Sequence, residues 1–198
     1  MSKTLEERIE ALEKVVQELK GNKGVSIGKG LGVGDAFELA GLTWKILDIT
    51  DKGYACLAEK LEERMTFDSD CNNWESSNLR NYLNTDFYKK LDKEIGADNI
   101  ITFERDLLSL DGQTEYGTCE DKVSLLNVDE YRKYRSLIPN TDDYWWWTIT
   151  PDSTKCNDDS RYVSVVSSSG VISSRSYFNF GGVRPFCIFS SSIFESED

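Results

Sequence analysis

Residues 144–189 are the most informative part of this chain and read YWWWTITPDSTKCNDDSRYVSVVSSSGVISSRSYFNFGGVRPFCIF. Between Asn157 and Phe180 the stretch contains eight Ser, together with Tyr, Asn, Asp and Arg, and it still alternates as strands do. A low-complexity linker would not alternate, and an ordinary core hairpin would not contain so many Ser. Small polar groups mixed with Tyr and Arg are typical of antibody paratopes. The stretch therefore indicates recognition more than catalysis.

The alternation predicts a hairpin that leads into a core strand. Residues 162–166 are predicted to form one strand, residues 167–170 a turn, and residues 171–180 the return strand. On the return strand, one face is predicted to pack and the other to meet solvent. The packing face consists of Ile172, Ser174, Ser176, Phe178 and Phe180, and the solvent face of Ser173, Arg175, Tyr177 and Asn179. Residues 183–189 are apolar on both faces and predict a strand inside the core, with Pro185 at its start or edge.

The preceding sequence predicts strands and short helices interleaved along the chain. Alternating residues 37–49 and 54–58 predict strands, and Ser76, Ser77, Thr85 and Asp86 are candidate N-caps for two helices. Asn127 is the predicted N-cap of a third helix. We therefore predict an α+β domain over residues 35–198, with short antiparallel strands and inserted helices.

The first 20 residues predict an oligomerisation helix. Apolar residues spaced four, three, four and three apart form an a/d heptad seam, and charged residues cover the other faces. The seam consists of Leu5, Ile9, Leu12, Val16 and Leu19. A parallel coiled coil is favoured; the alternative is an amphipathic helix folded back on its own domain. Branched residues at a with Leu at d favour a dimer, although so short a segment decides weakly between dimer and trimer.

Residues 21–34 contain six Gly and predict a flexible linker. Two phosphate-binding motifs are ruled out there. A Walker motif needs Gly where Lys23 stands, and the dinucleotide motif needs its third Gly where Val33 stands.

Composition narrows the function classes. A formal charge of −12 argues against nucleic acid or an anionic membrane as partner. The sequence contains no run of 18 apolar residues, so it predicts no membrane span. The chain has no His, so Ser–His and Cys–His nucleophile pairs are excluded. Its five Cys lack C-x-x-C spacing and are predicted to be reduced thiols. We expect no cofactor, no metal site and no secretory signal.

Several motifs together resemble a known family. Residues 145–151, a polar stretch and then Gly182-Val183-Arg184-Pro185-Phe186 look like the closing signature of a bacterial and phage domain of C-type lectin fold. Residues 74–84, 87–88 and 123–126 fit the same pattern. Members are similar in fold to formylglycine-generating enzymes, and several are variable proteins of diversity-generating retroelements. This chain departs from the pattern at residues 147–149, where the family usually has an apolar residue and Arg after a Trp pair.

The resemblance implies that the residues between the Trp motif and the final strand are mutable and contact a ligand. The candidate ligand-binding residues are Tyr144, Trp146, Asn157, Asp158, Ser160, Tyr162, Ser173, Arg175, Tyr177, Asn179 and Phe180. The calcium-dependent sugar signature of animal lectins is absent, so we expect no calcium site. Arg184 is predicted to be a buried structural residue, paired with a carboxylate or with backbone carbonyls.

The expected partner is a protein or glycan receptor on a host cell surface. The resemblance favours a homotrimer over a dimer, within a phage tail of the virion or displayed outside the cell. Two alternatives remain: a carboxylate-based enzyme of the related fold, and an inert structural oligomer. An enzyme needs Asp or Glu converging in a pocket, whereas a binding protein needs its solvent face to be contiguous and exposed.

Overall fold

A computed structural model describes residues 27, 30–61, 63–141 and 144–195. The predicted coiled-coil residues 1–20 lie outside the described residues. In the described part of the chain the strands are β1 (Ala36–Leu39), β2 (Leu42–Thr50), β3 (Gly53–Ala58), β4 (Ile100–Ile101), β5 (Phe103–Asp106), β6 (Thr118–Asp121), β7 (Trp146–Pro151), β8 (Tyr162–Val166), β9 (Ile172–Ser176) and β10 (Phe186–Phe189). The α-helices are α1 (Asn78–Tyr82), α2 (Tyr88–Ile95) and α3 (Val128–Tyr134). This mixture of strand and helix confirms the predicted α+β class.

The largest sheet has the strand order β1-β2-β3-β10-β4, and all its pairings are antiparallel. Its first hairpin turns at Ala40 and Gly41, whose φ angles of 54° and 73° suit a two-residue hairpin turn. The closing strand β10 lies between β3 and β4 and is buried along its whole length. Pro185, which cannot donate to a ladder, directly precedes it and accepts from Ala58 N at 2.8 Å. The predicted core strand and the position of its Pro are confirmed.

A second sheet, ordered β7-β8-β9, carries the terminal hairpin, and β5 pairs with β6 in a separate ribbon. The second sheet has core on both sides. Trp147, Val163 and Val165 belong to the larger of two hydrophobic clusters, whereas Trp146 and Val166 belong to the smaller. The hairpin is therefore anchored through both faces of β8.

The helices begin largely where their caps predict. Ser77 accepts from Arg80 N at 3.1 Å and caps α1. Asn127 and Glu130 form a complete capping box on α3. The second predicted cap is wrong, because the chain continues from α1 into α2 through a π-helical segment, Leu83–Phe87. Thr85 instead donates its hydroxyl to the Asn81 carbonyl at 2.7 Å.

The end of the Gly-rich stretch is held against the domain. Ile27 N donates to the Ile193 carbonyl, and Gly34 N to the Ile46 carbonyl, both at 2.8 Å. Ile27 and Leu31 also pack against the larger hydrophobic cluster. None of the helices in the described residues is long and apolar enough to cross a membrane.

Candidate functional site

The terminal hairpin places its return strand at the edge of the second sheet. Strand β9 pairs only with β8 in that sheet, so its side chains reach beyond the core. Ser173 and Arg175 are exposed, whereas Ile172 and Ser174 are half-buried and Ser176 is buried. The predicted alternation is therefore confirmed along Ile172–Ser176.

Beyond Ser176 the predicted faces are wrong. The strand ends there, and a turn closed by Asn179 N donating to the Ser176 carbonyl at 2.9 Å reverses the alternation. Tyr177 packs partly against the larger hydrophobic cluster, although it was predicted to face solvent. Phe178 and Phe180, predicted to pack, are 47% and 63% exposed. Asn179 is half-buried.

Trp146 does not reach the surface, which contradicts its assignment as a ligand-binding residue. Its side chain is 1% exposed and lies against the Tyr131 ring, with centroids 5.6 Å apart. Trp147 points to the opposite side, as alternation requires, but it is also fully buried because both faces of β7 are covered. The half-buried Trp145 is the ring of this motif that reaches solvent.

Arginine side chains lie against the surface rings in two groups. In the first, the Arg64 guanidinium lies 3.6 Å from the centroid of Tyr144. The Tyr144 and Trp145 rings stack with centroids 5.2 Å apart, and the Arg175 guanidinium lies 5.6 Å from the centroid of Trp145. In this group a cation thus adjoins one ring, that ring adjoins a second, and the second ring adjoins another cation.

The second group surrounds the turn after β9. The Arg161 guanidinium lies 5.2 Å from the Phe178 ring and 5.8 Å from the Tyr162 ring. The Tyr177 and Phe178 rings meet edge to face at 5.5 Å, and Tyr177 N donates to the Arg161 carbonyl at 3.0 Å.

Strand β9 and the turn after it connect the two groups. Gly181 lies directly under the Trp145 ring, and a Cβ there would also come within 2.6 Å of Trp147 Nε1. We call the two groups together the arginine–aromatic surface. It consists of Arg64, Tyr144, Trp145, Arg161, Tyr162, Arg175, Tyr177, Phe178 and Phe180.

The loop at residues 157–160 is only partly available to a ligand. Asn157 donates its amide to Asp111 Oδ2 at 3.0 Å and to Ser153 Oγ at 3.2 Å. Hydrogen bonds from Ser109, Ser153 and Asn157 hold the pKa of the Asp111 carboxyl below its ordinary value. Asn157 therefore serves an internal network, and no described contact joins it to the arginine–aromatic surface. Asp158 is exposed and Ser160 half-buried.

Sequence reasoning missed four members of the surface. Strand alternation places Phe178 on the wrong face, and among the three Trp it favours Trp146, where the structure exposes Trp145. Arg161 adjoins the candidate Tyr162, so its position was a usable signal. Arg64 is 80 residues before Tyr144 in the chain, and nothing in a single sequence links the two.

Two clefts in the described part of the chain lie away from this surface. The larger, of about 580 Å³, is lined by residues that include Glu75, Arg80, Glu120 and Asp121. Asp121 is buried there and accepts from Arg80 Nε at 2.6 Å and from Trp74 Nε1 at 2.8 Å. Its carboxylate is thus committed to a structural ion pair. No group of three or more Cys, Asp or Glu in the described chain is placed to hold a metal ion.

Arg184 is buried, as predicted, and its carbonyl partner is Ala58, which accepts from Nε at 3.1 Å. Its guanidinium also lies 5.3 Å from the Trp146 ring. Burial lowers the pKa of Arg184 to about 10. Arg184 therefore links the final motif, to which it belongs, with Ala58 of β3 and Trp146 of β7 inside the core.

Comparison with known proteins adds a family match and no relatives. Residues 56–142, less than half of the chain, match a family described as a domain of unknown function (DUF6273). That region contains Arg64 and ends before Tyr144, so most of the arginine–aromatic surface lies outside it. No curated protein matches the chain, and no solved structure matches it.

The reversed alternation at the turn can be tested with two neighbouring substitutions. Tyr177→Ser is expected to lower the free energy of unfolding by about 1–2 kcal/mol, because a partly buried ring is lost. Phe178→Ser should change it by no more than about 0.5 kcal/mol, because the ring is largely exposed. Urea denaturation followed by circular dichroism measures both. A larger loss for Phe178→Ser than for Tyr177→Ser would contradict the packed position of Tyr177 and the exposed position of Phe178.

Proposed function

We propose that this protein binds a ligand through the arginine–aromatic surface and recognises a receptor on a host cell. One observation carries the proposal. The two motifs that frame the surface are buried: β7 throughout and residues 181–189 throughout. Yet four of the eight large apolar side chains exposed in the described chain lie between them, namely Tyr162, Val171, Phe178 and Phe180.

This division between a buried frame and exposed side chains suits a surface whose amino-acid sequence varies while the residues of the frame stay the same. Exposed positions usually tolerate substitution within about 0.5 kcal/mol, whereas buried ones do not. The same division is implied by the resemblance to variable proteins of diversity-generating retroelements. It supports assigning the domain to the C-type lectin fold, with the variable positions at about residues 144–180.

The side-chain chemistry favours binding over catalysis. Aromatic rings and Arg are the residues that most often dominate the energy of protein interfaces. A carboxylate-based enzyme would need an available acid or base enclosed in a cleft. In the larger cleft the buried Asp121 is engaged by Arg80 and Trp74, and the other two carboxylates, Glu75 and Glu120, are exposed to solvent. The proposal therefore places the function at the arginine–aromatic surface.

The proposal extends to assembly and setting. A coiled coil at residues 1–20 would join several copies, with a trimer favoured and a dimer as the alternative, so that weak contacts gain avidity. A phage tail protein of the virion is the leading setting, and display outside a cell is the other. A neighbouring near-copy of the coding segment for residues 145–189, beside a reverse transcriptase gene, would support this origin.

Binding to a panel of candidate host cells tests the location of the site. A variant with Arg175→Ala, Phe178→Ser and Phe180→Ser should lose about tenfold or more in apparent affinity, because it lacks two anchors and a cation. It should keep its circular dichroism spectrum and melting temperature. Flow cytometry with labelled full-length protein provides the measurement.

The matched control removes apolar surface elsewhere. Leu108 and Leu110 are 41% and 47% exposed beside the smaller cleft. Leu108→Ser with Leu110→Ser should leave cell binding unchanged. If the control loses binding while the surface variant keeps it, recognition occurs at another site.

A further inference from the structure

The segment that forms most of the surface differs in charge from the rest of the chain. The sequence contains 35 Asp and Glu and has a formal charge of −12, yet residues 160–194 contain none of either. The charged residues of that segment are Arg161, Arg175 and Arg184. Because Arg184 is buried, the two others carry the charge that this segment presents to solvent.

Of the five described arginines outside the surface, three are paired with carboxylates: Arg80, Arg105 and Arg132 each contact Asp or Glu at 2.6–2.8 Å. The other two, Arg135 and Arg184, donate to backbone carbonyls within the fold. The three arginines of the surface form no ion pair with a described carboxylate. They lie instead over the rings of Tyr144, Trp145, Tyr162 and Phe178.

Nearby polar groups leave these guanidinium groups largely available. Asp159 is the acidic residue closest in sequence to Arg161, and it accepts from the Arg161 backbone N–H at 3.2 Å. Arg175 uses one nitrogen to donate to the Ser174 carbonyl at 2.8 Å. A guanidinium stacked on a ring keeps N–H groups at its edge, which match a carboxylate in a bidentate pair. The surface thus holds oriented cations that have no ion pair with a carboxylate of the described residues.

The shape of the surface favours a protein or peptide partner over a small molecule. Small ligands bind in concave pockets, and neither of the two clefts described above is lined by a residue of the arginine–aromatic surface. Phe178 and Phe180 project from the turn instead. Projecting rings of this kind fill apolar pockets on a partner, and Arg is enriched beside them at protein interfaces.

We infer that the partner is a protein whose contact segment carries Asp and Glu next to apolar side chains. Phe178 and Phe180 pack against the apolar side chains, while Arg161 and Arg175 pair with the neighbouring carboxylates. The inference rests on the proposed function, since it uses the same surface. An acidic partner is repelled by the strongly negative remainder of the chain, so this face also orients the encounter.

Selection of displayed random peptides against the full-length protein tests the inference. Peptides that bind should be enriched in Asp and Glu next to Leu, Phe or Trp. A synthetic peptide of that composition should bind about tenfold or more weakly to the Arg161→Glu, Arg175→Glu double variant. Replacing its acidic residues with Lys should restore binding to that variant. Phe178→Ser with Phe180→Ser should also abolish binding.

The matched control is Lys89→Glu with Lys90→Glu, two exposed residues of α2. It makes the same charge change and should leave the affinity for the peptide unaltered.

The possible failures can be told apart. Peptides that lose binding to the Phe178→Ser, Phe180→Ser variant but show no acidic enrichment would overturn the acidic partner and leave the surface in place. Heparin binding that depends on Arg161 and Arg175, without any peptide binding, would overturn it in favour of a sulfated glycan. Peptides whose affinity is unchanged in both surface variants would overturn the inference and the proposed function together.

Discussion

Replacing Trp147 with Ala is expected to lower the free energy of unfolding by about 3–5 kcal/mol. The side chain is fully buried, and its ring meets Trp145 at 4.8 Å and Phe67 at 5.5 Å. Its Nε1 donates to the Met65 carbonyl at 2.9 Å. Truncation therefore leaves a cavity and removes one of the two hydrogen bonds that the Met65 carbonyl accepts, the other coming from Gly181 N at 2.9 Å. Both losses cost free energy.

Urea denaturation followed by circular dichroism measures the effect without depending on the fluorescence of the removed ring. Trp147→Phe should cost less than Trp147→Ala, because most of the volume is kept while the hydrogen bond is lost. Phe180→Ala is the control for removing an aromatic ring and should change stability by no more than about 0.5 kcal/mol. Equal losses for Trp147→Ala and Phe180→Ala would contradict the arrangement of buried frame and exposed surface.

Much of the frame could be predicted because it depends on local patterns. The β1–β2 turn follows from Ala40-Gly41 between two alternating runs, and the α3 capping box follows from Asn127 with Glu130. The core strand β10 follows from a run that is apolar on both faces. In each case residues close in sequence determine the backbone, so a single chain contains enough information.

The wrong predictions occur where a local sequence pattern was applied to residues whose backbone or surroundings no longer follow it. Alternation with a period of two holds only while the backbone is extended, and the turn after Ser176 reverses it. Alternation correctly separates Trp146 from Trp147, but it cannot show that the core covers both faces of β7. Arg64 and Tyr144 are far apart in the sequence, and the tertiary fold brings them together. Several exposed side chains thus lie in the segment that the sequence singles out, whereas their grouping with Arg64 and Trp145 depends on the three-dimensional arrangement.

The packing of Ile27 and Leu31 bears on how copies of the domain would be held together. The predicted helix ends near residue 20, and Ile27 is bonded to Ile193. Six residues connect them, which span at most roughly 25 Å when extended. A short connection holds neighbouring binding sites close together, and effective concentration is high when the connection just spans the sites.

Disrupting the heptad seam should therefore affect binding to cells far more than binding to a single ligand. Ile9→Glu with Val16→Glu places charges at two a positions and should convert the full chain to a monomer. Apparent affinity for a surface that presents many receptors should fall about 10²–10⁴-fold, because avidity is lost. Affinity for a soluble monovalent peptide should stay the same, because the arginine–aromatic surface is untouched. Light scattering gives the assembly state.

The matched control, Ala11→Glu with Gln17→Glu, adds the same charge outside the seam and should remain oligomeric. A parent chain that is already monomeric, or a monomeric variant that binds cells as well as the parent, would remove avidity from the proposed function while leaving the recognition surface unaffected.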